Sequence, residues 1–113
     1  MRKKVIFHLV GGGIQEINHI LFVKSDGHVQ QVHTVDGSML ETRQSLSAML
    51  QTFESIVPGQ FVSPGKGYIV NQSAIHIIKS EYIEVKGHKI PLAKRKYRQF
   101  QEDYFKFIFQ KDA

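Results

Sequence analysis

The sequence contains no cysteine, which excludes disulfides, thiolate nucleophiles and cysteine zinc sites together. That absence fits a reducing compartment, so a cytoplasmic location is expected. The chain also lacks an apolar run long enough to cross a membrane as a helix, for which about 20 residues are needed. Met1-Arg2-Lys3-Lys4 resembles the charged start of a secretory signal. However, His8 interrupts the apolar stretch Val5 to Val10, and Gly11-Gly12-Gly13 ends it without a small-residue cleavage site. No long linker, repeat or low-complexity tract divides the 113 residues, so one domain with one modest core is expected. With 42% of residues apolar and 22% charged, the composition is that of a globular domain and not of a disordered chain.

Acidic residues are missing from one region in particular. Between Lys86 and Arg98 stand six cations, Lys86, Lys89, Lys94, Arg95, Lys96 and Arg98, and no acid; against a net charge of +5, the rest of the chain sums to −1. A one-signed cluster of this kind attracts a polyanion, of which nucleic acid is the commonest inside a cell. The alternative is a solvated lysine-rich surface.

Catalytic chemistry is missing as well. The stretch Ser63-Pro64-Gly65-Lys66-Gly67 suggests a phosphate loop, but five residues separate Gly59 from Gly65, and Gly67 follows Lys66 where a magnesium-binding hydroxyl would have to stand. The six histidines (His8, His19, His28, His33, His76 and His88) form no i, i+4 pair on an expected helix, so no metal site and no cofactor are assigned. His28 and His88 follow turn glycines and should face solvent, whereas His8, His33 and His76 fall in strand-like runs and should occupy an outward face. No carboxylate pair stands out for acid/base work, and the chain is not read as an enzyme.

What the sequence does contain is turn chemistry between β-branched and aromatic runs. Asp26-Gly27, Asp36-Gly37 and Lys86-Gly87-His88 each join two such runs and predict a meander followed by a separate hairpin. The Asp-Gly pairs favour primed turns in which both central residues have positive φ. Between meander and hairpin, Leu46, Met49, Leu50 and Phe53 mark one face of a short helix, with Thr42 or Ser45 as N-cap and Pro58-Gly59 as its stop. After Pro91 the period changes: Tyr97, Phe100, Tyr104 and Phe107 form a helical stripe, so a C-terminal helix is expected over 94–109. Phe105, Ile108 and Phe109 widen its apolar face, which either packs on the sheet or serves as a dimer or partner contact. The fold class is therefore mainly β (α+β).

The C-terminal half carries an ordered pattern: Phe61, Tyr68-Ile69-Val70-Asn71, Ile75, and Ile90-Pro91-Leu92-Ala93-Lys94, preceded by Ile20-Leu21-Phe22-Val23 and by Thr42-Arg43-Gln44-Ser45-Leu46 opening the helix. This resembles the LytTR family of bacterial DNA-binding domains over about Ile17 to Arg98. Residues 1–16 are then an N-terminal strand and loop, and 17–98 the family-like core, within a single domain 1–113. The resemblance implies short antiparallel sheets whose loops enter successive major grooves of promoter DNA. Family contact positions fall on His28, on Lys66 with Gly65 and Gly67 letting the backbone approach, and on Lys94 with Arg95. Lys89, Lys96 and Arg98 add to the same basic edge.

Departures from the family pattern are specific. The loop before Tyr68 commonly reads Arg-x-His-Arg-Ser, but here it is Ser-Pro-Gly-Lys-Gly, which leaves Lys66 as its one cation. Lysine at positions 66 and 94 is a point charge without the bidentate fork of arginine, so weaker or altered sequence preference is expected. Asn71 is assigned to backbone hydrogen bonding rather than to DNA. Lys94 and Arg95 begin a helix, where the macrodipole disfavours cations, and so point to an external anion.

The expected function is sequence-specific binding of double-stranded DNA in transcriptional control, with two copies on direct repeats. A partner-binding module that has lost DNA recognition is the alternative, and RNA binding a weaker third. Family members commonly carry a receiver domain; none is expected in this chain, which is read as a stand-alone response-regulator-like protein or an excised domain. The C-terminal aromatic helix would dock a regulatory partner or a second copy.

Overall fold

The computed structural model describes residues 6–8 and 14–111; the expected loop at Gly11 to Gly13 lies outside them. β1 (Ile6–His8) pairs antiparallel with β2 (Ile14–Glu16). A turn of 3₁₀ helix leads into β3 (Ile20–Asp26), β4 (Val29–Thr34) and β5 (Met39–Thr42), the expected meander. After α1 (Leu46–Ile56), β6 (Phe61–Val62) and β7 (Tyr68–Asn71) return the chain to β3, and the sheet order becomes β5-β4-β3-β7-β6. β8 (Ile75–Ile78), β9 (Tyr82–Val85) and β10 (His88–Pro91) form a separate antiparallel sheet, and α2 (Tyr97–Lys111) follows.

The turns differ in detail from their sequence signals. Asp26 stays in β3, paired with Val29, and its carboxylate accepts from Gln31 Nε2 at 3.1 Å. The turn is therefore Gly27-His28, with positive φ at Gly27 alone (+64°), as in a type II′ hairpin and not the expected type I′. The I′ requirement is met instead by Lys86 and Gly87, with φ of 47° and 86°. β10 consequently begins at His88, which pairs with Val85, one residue earlier than expected. At Asp36-Gly37 the Asp36 carboxylate accepts from Thr34 Oγ1 and from Ser38 N (3.0 Å), and these bonds hold its pKa down at about 2.

The five-stranded sheet is covered on both faces. On one, α1 buries Met49 and Phe53 against Ile17, Ile20, Val23, Val32, Phe61 and Ile69, and the Phe53 and Phe61 rings lie 4.4 Å apart. Of the two candidate caps it is Ser45 that acts, accepting from Ala48 N at 3.1 Å, while Thr42 is buried in β5. On the other face Leu21, Phe22 and Val70 join Ile75, Ile83, Val85, Ile90, Leu92 and Phe100 in a second core. β3 serves both by the alternation of its side chains, and a register shift between Ile20 and Phe22, a bulge, turns the neighbours Leu21 and Phe22 to the same second core. One modest core was expected, and the chain instead builds two around one sheet.

α2 begins three residues later than expected. Lys94–Lys96 form a 3₁₀ turn, and the α-helical part starts at Tyr97. Phe100 is buried and Tyr97 and Tyr104 pack on the second core, but Phe105 and Phe109 remain 58% and 73% exposed.

Candidate nucleic-acid interface

The loop between β6 and β7, residues 63–67, is the centre of the site. Pro64 is buried, and the Gly65 carbonyl accepts from Ser63 Oγ at 3.0 Å and from Tyr68 N at 3.4 Å, which folds the loop on itself. On one side Ser25 N donates to Gly67 O at 2.8 Å, fixing the loop to β3 just before the Gly27-His28 turn. On the other side Ala93 N donates to Pro64 O at 3.1 Å, fixing it to the residue before Lys94. Two backbone bonds thus bring together the three segments that carry His28, Lys66 and Lys94 with Arg95. All four side chains are exposed.

The two loop glycines are present for different reasons. Gly67 has a φ of +86°, a conformation that L side chains adopt only with strain. Gly65 does not share that need: a Cβ there would lie 3.5 Å from Pro91 O and 3.6 Å from Ala93 N, ordinary van der Waals contact. The fold therefore demands glycine at 67 and tolerates a methyl at 65.

The remaining basic residues divide. Arg98 is exposed in the first turn of α2. Lys96 is half-buried and lines a pocket of about 250 Å³ with Val62, Ser63, Gln72, Gln99, Phe100 and Asp103. Lys89 has a partner of its own, its Nζ lying 5.0 Å from the centre of the Tyr82 ring. The 3₁₀ turn that leads into α2 has no side-chain cap at Ala93, and neither it nor the first turn of α2 holds an acid.

Two features were not singled out from the sequence. Lys24 is exposed on β3 opposite Tyr68 and Gln31, next to the Ser25 bond to the central loop. Its position two residues before Asp26-Gly27 was the available signal. The second feature is an aromatic clamp between the sheets. Phe22 stacks on His33 with ring centres 4.3 Å apart and planes at 11°, and His88 closes the group at 5.0 Å from Phe22 and 5.5 Å from His33. Lys86 Nζ adds a bond to Val35 O at 2.9 Å. The clamp fixes β10, and with it Lys94, relative to the central sheet. His33, expected on an outward face, is thus half-buried; burial first, then the charges of His88 and Lys24, lowers its pKa below the usual imidazole value. His76 is exposed as expected, at a register shift in β8, and the His8 side chain lies outside what is described.

Asn71 is 1% exposed and belongs to the fold. Its Nδ2 donates to Ile20 O at 2.8 Å, and its Oδ1 accepts from Ser73 N (3.0 Å), Ser73 Oγ (2.7 Å) and Gln60 Nε2 (3.3 Å). Among the described residues no group of three or more metal-ligating side chains occurs, and no helix is long and apolar enough to cross a membrane.

The structure is a β-rich domain whose basic end is built from the 63–67 loop, the 3₁₀ turn at Lys94–Lys96 and the start of α2. Residues 14–104 match the LytTr DNA-binding domain family, and the chain belongs to that family. Its fold is similar to the solved LytTr DNA-binding domain of a Bacillus cereus protein described as a methyl-accepting/DNA response regulator. The TM-score is 0.66 at 16% sequence identity, covering 93% of this chain and 98% of the other. No curated protein matches the sequence.

Proposed function

We propose that this chain binds double-stranded promoter DNA sequence-specifically and regulates transcription, with the loops of His28 and Lys66 entering the major groove and Lys94, Arg95 and Arg98 on phosphates. The observation that supports this reading is the pair of backbone bonds, Ser25 N to Gly67 O and Ala93 N to Pro64 O, which tie together the segments that carry His28, Lys66 and Lys94. Phosphate contacts position such an edge, and base contacts made by its loops specify the sequence. Because Lys66 is the one cation of a loop that is richer in arginine across the family, specificity rests on fewer donors and binding leans on phosphate charge. Direct repeats engaged by two copies are the expected target arrangement.

Selection of bound duplexes from a random pool tests the proposal. An enriched motif supports it, and recovery of unrelated sequences would sink it. The second reading, a partner-binding module or homodimer built on α2, rests on the exposure of Phe105 and Phe109. It calls for a stable protein complex together with absence of any duplex preference.

A further inference from the structure

The pocket beneath Lys96, itself one of the expected DNA-contacting cations, adds features that the DNA reading does not use. Val62 and Phe100 supply apolar wall, and Lys96, Gln99, Phe100 and Asp103 contribute from one face of the helical segment at i, i+3, i+4 and i+7. Lys96 and Asp103 thus stand about two turns apart, roughly 10 Å along the axis. Among the described residues neither forms an ion pair; Asp103 Oδ1 accepts only the Gln99 amide, at 2.9 Å. Gln72, in the same wall, is 3% exposed. Its Nε2 donates to Gly59 O at 2.8 Å, which fixes the amide orientation because a carbonyl can only accept, and leaves Oε1 buried without a donor.

We propose that this pocket is a regulatory site for a small zwitterion with an apolar body. Its carboxylate sits on Lys96, its body lies between Val62 and Phe100, and its ammonium end lies toward Asp103. At about 250 Å³ the pocket is a little smaller than the sites that take drug-sized ligands, which suits a small organic molecule. Occupancy is coupled to DNA through two residues. It claims the charge of Lys96, and it touches Ser63, whose hydroxyl holds the Lys66 loop through Gly65 O. The coupling rests on the DNA reading; the pocket itself does not.

The test titrates the full chain with 6-aminohexanoate, followed by backbone amide NMR shifts in the absence of DNA. Shifts saturating in the millimolar range and centred on Val62, Ser63, Gln72, Gln99 and Phe100 are expected. Hexanoate and 1-aminohexane should each bind about tenfold more weakly. Asp103→Asn should remove the preference over hexanoate, and Lys96→Gln the preference over 1-aminohexane, in variants whose spectra stay folded. No saturable shifts at these residues, or equal affinity for all three probes, would overturn the site. On a duplex that the chain binds, saturating probe should reduce the salt slope by about 0.9, the contribution of one phosphate. An unchanged slope would overturn the coupling while leaving the pocket. A chain that binds no duplex fails the DNA reading alone, since the titration without DNA still decides the pocket.

Discussion

The amide of Ala93 donates to the carbonyl of Pro64 at 3.1 Å, joining segments 29 positions apart in the chain. Through it the segment that opens α2 is held against the loop between β6 and β7, and in the proposed reading both face the same duplex. Lys94→Ala should therefore weaken duplex binding across all sequences and reduce the log–log salt slope by about 0.9. Filter binding at several salt concentrations measures this; a slope equal to wild type would remove Lys94 from the phosphate contacts.

Lys66 and His28 have a different expected signature. If either reads a base edge, its alanine variant should lower specific affinity by about 1–3 kcal/mol and leave nonspecific affinity nearly unchanged. Parallel losses on specific and random duplexes would instead assign that side chain to the backbone.

Gly65→Ala and Gly67→Ala separate two roles for glycine. Gly67→Ala should destabilise the protein by roughly 1–2 kcal/mol, because its φ of +86° disfavours any L side chain. Gly65→Ala should change stability by less than about 0.5 kcal/mol, since space exists for the methyl, but should weaken duplex binding if the backbone comes close to the groove. Urea melts and duplex titration of both variants check this, and unaltered binding by Gly65→Ala would show that the loop needs no such approach.

Asn71→Ala should cost about 2–4 kcal/mol, for it leaves Ile20 O and Ser73 N without the partners they now have in a nearly sealed site. A change below about 1 kcal/mol in a denaturant melt would contradict the assignment of Asn71 to the fold.

His33 makes stability depend on pH in a stated direction. Its folded pKa is lowered, so between that value and about 6.5 the unfolded chain binds more protons than the folded one. The stabilisation is fully present above pH 6.5 and is lost as pH falls toward the folded value. His33→Phe, which keeps a ring on Phe22, should flatten stability across this window. An NMR titration placing His33 above 6.5 would reverse the sign and refute the account.

Much of this protein was legible in one dimension because the signals are local. Turn pairs at Asp26-Gly27, Asp36-Gly37 and Lys86-Gly87, the period of Leu46, Met49 and Phe53, and the aromatic stripe from Tyr97 depend only on neighbouring residues, and so located the meander, the hairpin and both helices. The acid-free run from Lys86 to Arg98 marked the basic end for the same reason. Tertiary structure decided what depends on distant partners. The insertion of β7 beside β3, the bulge that turns both Leu21 and Phe22 to one core, the stack of Phe22, His33 and His88, and the engagement of Lys89 by Tyr82 all join residues that no local pattern relates. Side-chain charge is written in the chain, but which charged segments meet is set by the backbone bonds at Gly67 and Pro64, which join residues far apart in sequence.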